Sequence, residues 1–270
     1  MSQQIPPEYV DWDQLQQPPE KPAKKRAGIF SVIFTLLLIL AALVILNESV
    51  LRIRKVAVVG NRKVDWETVV VAAGLNRSTG YFFVNETKIA EGINANRYLI
   101  FEKLEKVFPN TLTIYVRERA PVAKVAEMGA VYHLDEEGMV LEKYNTFNSD
   151  AQDESYDGLI VISGLKPKEM RVGRKMVAGS AAHGEAYLQL IRELTLQGYL
   201  SEVSELNVND PENIYLTTRD GYTARLGDLS SLRAKIGTIR AVVPRLREMG
   251  LTGGLLEVTI PGEAVYSRDD

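Results

Sequence analysis

"TLTIYVRERAPVA", residues 111–123, decides how the chain is divided. Thr111 to Val116 alternate polar and apolar, the period of a half-buried strand, with Leu112, Ile114 and Val116 on the inward side. That parity carries on to Glu118, whereas Arg117 and Arg119 share the face of Thr113 and Tyr115. A carboxylate at a core-parity position is costly unless paired, so Glu118 is expected to emerge at the strand's end or to meet a cation. Pro121 holds Ala120 extended, which suits a stiff connection. Arg117, Glu118, Arg119 and Pro121 therefore read as a junction between two domains, with Glu118 expected to help set the angle between them.

Upstream of the junction the pattern is strand, helix, helix, strand, strand. "IRKVAVVGN" (53–61) alternates and stops at Gly-Asn, and Asp65 can cap a helix in "VDWETVVVAAG" that ends at Gly74. A second helix starts near Asn85 and sets Ile89 and Ile93 on one face. "YLIFEKLEKVF" and "TLTIYVRER" are strands joined at Pro109-Asn110. Downstream the texture is β-rich. Strands are expected at "VAKVAE", "AVYHL" and "MVLE" around a turn at 135–138, then at "GLIVISG", "VSELNV" and the hairpin "NIYLTTRDGYTARLG". Helices are expected over 180–197, capped by Ser180, and from Ser230, with Arg233, Lys235, Arg240 and Arg247 on its solvated faces and a bend at Pro244.

Further upstream, residues 28–46 ("GIFSVIFTLLLILAALVIL") hold nineteen residues without a charge. As a helix they measure ~28 Å, a bilayer's hydrocarbon thickness. Lys21, Lys24, Lys25 and Arg26 before this run place the N-terminus in the cytoplasm by the positive-inside rule. Residues 1–27 are rich in Pro, Gln and charge and read as a flexible tail, with Tyr9 and Trp12 as a possible small docking motif. The expected layout is a cytoplasmic tail (1–27), a transmembrane helix (28–46), a first domain (50–119), a second (120–266) and a short polar tail (267–270). The fold class is α+β.

Chemistry is sparse. There is no cysteine, which removes disulfides, thiol nucleophiles and thiolate metal sites. His133 and His183 are the only histidines, in different elements and without metal-ligand spacing; a His133-x-Asp135 pair arises easily by chance. Ser163 and Lys166 fit Ser-x-x-Lys, yet in a Gly- and Pro-flanked loop without the companion motifs. No phosphate loop or dinucleotide fingerprint is present, and a net charge of −3 gives no overall grip on nucleic acid. No cofactor, metal or catalytic residue is expected.

"VAVVGNRKV" (56–64), "AAGL" (72–75), "FPNTLTIYVRERAPVA" (108–123) and "YHLDEEGMVLE" (132–142), after one apolar run, resemble the FtsQ/DivIB family of bacterial division proteins. The most specific match is the run Pro109, Thr111, Leu112, Ile114, Val116, Glu118, Arg119, Pro121, Val122 and Ala123. Gly227 and Lys235 match the family's Leu-Gly segment and its helical lysine. The family's final strand often reads Val-Asp-Leu-Arg, where this chain has Leu256, Glu257, Val258 and Thr259, so the arginine is lost. The resemblance implies a POTRA domain (strand-helix-helix-strand-strand) followed by a β domain with two flanking helices, no catalysis, and binding outside the membrane to FtsB/DivIC-like and FtsL-like single-span proteins. It further implies a part in coordinating septal peptidoglycan synthesis, with the C-terminal strand region as the partner contact.

From the residues themselves, "LLEVTI" (255–260) is expected to be the last strand, with Leu256, Val258 and Ile260 inward and Glu257 and Thr259 outward. An open edge accepts another chain's strand through main-chain hydrogen bonds, with Val265 and Tyr266 as an apolar anchor. Two rival readings stay open: a POTRA-bearing secretion or assembly component, and a membrane-anchored cell-wall enzyme.

Overall fold

The computed structural model describes residues 28–49, 51–76, 78–145 and 158–268. The tail 1–27, with its orientation signal and its Tyr9/Trp12 motif, lies outside the described residues, as do 269 and 270. The chain divides into two units, 1–50 and 51–270.

The first unit is helix α1 (Ile29–Ser49), 21 residues long. Its described side chains, which stop at Ile45 four residues before the helix does, are all exposed. Among the described residues, no helix is long and apolar enough to cross a membrane.

The second unit holds two separate clusters of buried side chains. The smaller is built on a three-stranded sheet of order β1-β3-β2: β1 (Lys55–Val59), β2 (Leu99–Val107) and β3 (Thr111–Glu118). β3 is central, parallel to β1 and antiparallel to β2, so both its edges are paired and its alternation is sharp. Leu112, Ile114 and Val116 are buried as their parity requires. Helices α2 (Trp66–Ala72) and α3 (Glu86–Asn94) cover them, contributing Val69, Ile89 and Ile93. Asn85 caps α3 by accepting from Lys88 N, whereas Asp65 makes no side-chain cap for α2. The helices approach closely at Gly92, where a Cβ would stand 2.1 Å from Ala72 O.

The larger cluster lies on a nine-stranded sheet of order β12-β11-β10-β9-β8-β7-β4-β5-β6 among the described residues. Its strands are β4 (Ala123–Glu127), β5 (Ala130–Leu134), β6 (Val140–Asn145), β7 (Ile160–Ser163), β8 (Val203–Asn207), β9 (Ile214–Thr218), β10 (Tyr222–Gly227), β11 (Gly254–Glu257) and β12 (Val265–Ser267). Helix α4 (Ala181–Leu196), capped by Ser180, buries Ala186, Tyr187, Leu190, Ile191 and Leu194 against it. Helix α5 (Leu232–Glu248) buries Leu232, Ile236, Ile239, Val243 and Leu246 and runs through Pro244.

Two sequence expectations need correction here. Lys235 is not on a solvated face: it is 1% exposed, and its ammonium donates to Asp228 Oδ1 (2.9 Å) and Asp228 O (3.0 Å). The last strand is not 255–260, nor does a polar tail begin at 267. The strand stops at Glu257, and Val265–Ser267 adds one more strand outside it.

Candidate functional site

The junction residues divide between two tasks. Glu118, at the end of β3, accepts hydrogen bonds from three successive backbone N–H groups: Arg62 (2.5 Å), Lys63 (2.9 and 3.0 Å) and Val64 (2.8 Å). Burial pushes its pKa up, but the N–H groups of Val64, Arg62 and Lys63 and the Lys63 charge outweigh that, and the net shift is downward. The carboxylate thus bonds to main-chain N–H groups, with the Lys63 charge as a smaller contribution, and it staples the loop after β1 to β3 within the smaller sheet. It does not cross the junction.

Arg117 and Arg119 do cross it. The Arg119 guanidinium, 10% exposed, pairs with Asp135, 2% exposed, and lies 3.2 Å from Glu137 Oε2. Arg117 reaches Glu136 (2.6 Å) and Glu137 (3.2 Å) but stays largely in solvent, where such pairs contribute little. Tyr98 OH donates to Glu142 Oε1 (3.0 Å), whose other oxygen lies 3.1 Å from His133 Nδ1. Pro121 lines the cleft of about 580 Å³ beside these contacts, next to Ala120.

Asp135 was missed as a structural hub. Its Oδ1 accepts from Glu137 N (2.9 Å) and Met139 N (2.7 Å), its Oδ2 takes Arg119, and its carbonyl accepts from Tyr187 OH (2.5 Å) on α4. Burial, with the Asp135 charge nearby, pushes the Tyr187 phenol well up, so it stays a neutral donor. Asp135 to Gly138 read as a turn in the sequence, but nothing local announced the arginine sixteen positions upstream. Glu137 is raised by burial yet lowered on balance by Arg119, Lys175 and Arg117.

At the C-terminal end, β11 pairs in parallel with β10 and antiparallel with β12, in register Leu255↔Ser267, Leu256↔Tyr266 and Glu257↔Val265. Val265 and Tyr266 therefore occupy the edge that the sequence left open on "LLEVTI". Leu256 and Val258 are buried, and Val258 N donates to Arg225 O (2.9 Å). Ile260, expected inward, is 57% exposed because the chain turns there and Glu263 N returns to Ile260 O. Glu257 pairs with Arg225 (3.2 Å) and accepts from Thr259 Oγ1 (3.2 Å). Gly254, at φ +106, lets β12 lie close: a Cβ there would sit 2.7 Å from Ser267 O. Tyr266 OH donates to Gly253 O (3.1 Å), while Val265 is exposed. Among the described residues, nothing pairs with the outer side of β12.

No group of three or more His, Cys, Asp or Glu side chains that could hold a metal occurs among the described residues. Ser163 Oγ donates to Glu205 (2.6 Å), and Lys166 Nζ points to Asn209 O (3.4 Å). His133 is turned toward Glu142.

Fold and site together define a POTRA-type domain joined through an arginine-carboxylate seam to a β-rich domain with a short terminal edge strand. Residues 51–119 match the FtsQ-type POTRA domain, and residues 124–258 match the family described as cell division protein FtsQ/DivIB, C-terminal. The chain is similar to the cell division protein DivIB of Clostridium tetani, 21% identical over 79% of this chain and 78% of the relative. It is also 21% identical to a DivIB of Clostridium botulinum over 91% of this chain and 93% of the relative. With the cell division protein FtsQ of Syntrophotalea carbinolica it shares 23% identity over 73% of this chain and 66% of the relative. The chain belongs to the FtsQ/DivIB family of cell-division proteins.

Proposed function

We propose that the protein is a non-enzymatic scaffold of the division machinery, anchored by α1 with its N-terminus in the cytoplasm and its two domains, about 50–119 and 120–266, outside the membrane at the septum. Its partners are FtsB/DivIC-like and FtsL-like single-span proteins, through which it helps coordinate septal peptidoglycan synthesis. The apolar side chains of α1 from Ile29 to Ile45 are all exposed. In the sequence, residues 28–46 are nineteen residues without a charge, ~28 Å as a helix, which matches a bilayer's hydrocarbon core. Length and apolar surface favour lipid as the covering medium.

The observation that carries the reading is the edge at β12. Its outer main-chain groups have no strand partner among the described residues, and a strand from another chain fits there by simple sheet extension. The contact surface so proposed comprises Leu256, Glu257, Val258, Thr259 and Ile260 as the supporting segment and Val265 and Tyr266 as the docking strand. The test is a photo-crosslinking residue at Val265 in the full chain, with one at Met128 as the control. Crosslinking of the FtsB/DivIC-like protein from Val265 and not from Met128 is expected. Capture equal to the control would remove the strand-addition reading.

A further inference from the structure

The POTRA domain has two ends, and only one faces the β domain. β1 and β3 run parallel toward the Glu118 seam. At the opposite end three segments are tied together: the chain entering at 51–55, the turn at Tyr81–Phe83, and the β2–β3 turn at 108–110. Tyr81 N donates to Leu51 O (2.7 Å), Ile53 N to Thr79 O (2.9 Å), and both Arg54 N and Lys55 N to Asn110 O (2.9 and 3.3 Å). The Tyr81 ring meets Phe108 edge-on at 5.9 Å, and Lys106 Nζ donates to Val84 O (2.8 Å).

This end displays large apolar side chains that the fold leaves mostly exposed. Phe82 is 67% exposed, Phe83 78%, Val107 54% and Phe108 67%. Adjacent exposed aromatics at a loop end mark a contact surface more than a packing remainder. Leu51, the first residue of this end, follows the last residue of α1, Ser49, by two positions, so the covalent chain keeps its Cα within ~7 Å of that of Ser49. Phe and aliphatic side chains flanked by Lys and Arg are the kind that bury ~5–10 Å into the headgroup/acyl boundary of a bilayer, and the cations favour anionic headgroups. Arg52, Arg54, Lys55 and Lys106 supply those cations, against Glu86 at the start of α3.

We infer that Phe82, Phe83, Val107 and Phe108 form an apolar collar that seats in the headgroup boundary of the bilayer beside the anchor. The occupant is the lipid surface, and the inference rests on the proposed membrane anchoring of α1. Seating this end would turn the seam, and the β domain beyond it, away from the lipid. Anchoring of this kind reduces the orientational freedom of a domain otherwise joined to α1 through one residue, Val50.

The chain's lack of cysteine makes the test direct. Full-length Phe83→Cys, Phe108→Cys, Leu38→Cys and Met128→Cys variants, each carrying an environment-sensitive fluorophore, are reconstituted in phosphatidylcholine/phosphatidylglycerol vesicles whose lipids are brominated near the headgroup or deep in the acyl chain. The expected result is loss of most fluorescence at 83 and 108 with shallow bromines, quenching at 38 with deep ones, and none at 128. Quenching at 38 with positions 83 and 108 matching 128 would overturn the collar and leave the anchor standing. A blue shift at 83 and 108 without quenching would show a protein surface covering them, a second copy in this purified system, and would also overturn it. If position 38 matches 128, the anchoring reading fails and the collar falls with it.

Discussion

Replacing Glu118 tests whether the most specific carboxylate in the chain is a staple within the POTRA domain. Its oxygens accept from the N–H groups of Arg62, Lys63 and Val64 at 2.5 to 3.0 Å. A hydrogen bond to a charged acceptor contributes ~1.5–3 kcal/mol, but these three share one carboxylate. Arg62 and Lys63 are exposed, so water replaces the acceptor there; Val64 is half-buried and stands to lose most. Glu118→Ala is therefore expected to cost ~2–3 kcal/mol, and Glu118→Gln, which keeps an acceptor oxygen without the charge, ~1–2 kcal/mol. For residues 51–270 unfolding as one cooperative unit that corresponds to a fall in Tm of ~4–12 °C for the alanine variant. The folded-state pKa of Glu118 lies below its ordinary value of 4.5, so the stabilisation is present above the unfolded pKa and fades as pH falls through the lower folded value. Thermal unfolding of the full chain in detergent, followed by circular dichroism at pH 7 and at progressively lower pH, reads both effects. The gap between wild type and Glu118→Gln should be open at pH 7 and close in acid. An alanine variant within ~0.5 kcal/mol of wild type, or a gap that persists unchanged below the folded pKa, would refute the staple.

Arg119→Ala leaves the Asp135 carboxylate buried with only the Glu137 and Met139 N–H groups, and should cost ~2–3 kcal/mol. Spin labels on Val71→Cys and Met128→Cys, both exposed, should report a broader inter-label distance distribution in that variant; an unchanged distribution would show that the pair does not hold the domains. Lys235→Met should change stability by no more than ~1 kcal/mol, since an apolar side chain of similar volume replaces a buried ion whose partner Asp228 reaches solvent. The Asp228 carboxyl, held down at about 2 by the Ser230 hydroxyl and then by Lys235, should rise part of the way toward 3.8 in that variant. Carboxyl titration by NMR gives the answer, and an unmoved Asp228 would remove Lys235 from the account.

Where spacing alone carries the physics, the sequence was sufficient. Alternation at Leu112, Ile114 and Val116 specified the central strand of the POTRA sheet because a pleated strand allows only one parity to face the core. Asn85 and Ser180 marked helix starts because the cap lies within three residues of the N–H that it satisfies. The division into two buried clusters around residues 117–122 was likewise visible as a change of texture at Pro121. What depended on residues far apart in the chain was not legible. Glu118 was singled out by its core parity, yet its partners are main-chain groups 54 to 56 positions away, which carry no side-chain signature. Lys235 looked like surface charge because its ammonium meets Asp228 only through the turn into α5. The terminal edge was misplaced for a similar reason: three residues, Val265–Ser267, are too few to show a period, and only the return of the chain past Gly254 makes them the last strand. The sequence by itself thus determined most of the strands and helices, since those follow from local periodicity and spacing, while the family showed as a resemblance in particular residues such as Pro109, Glu118, Arg119 and Pro121. Which carboxylate meets which cation, and which strand is left with an open edge, was decided by the tertiary structure, because pairing across the sheet is a property of proximity in space and not of order along the chain.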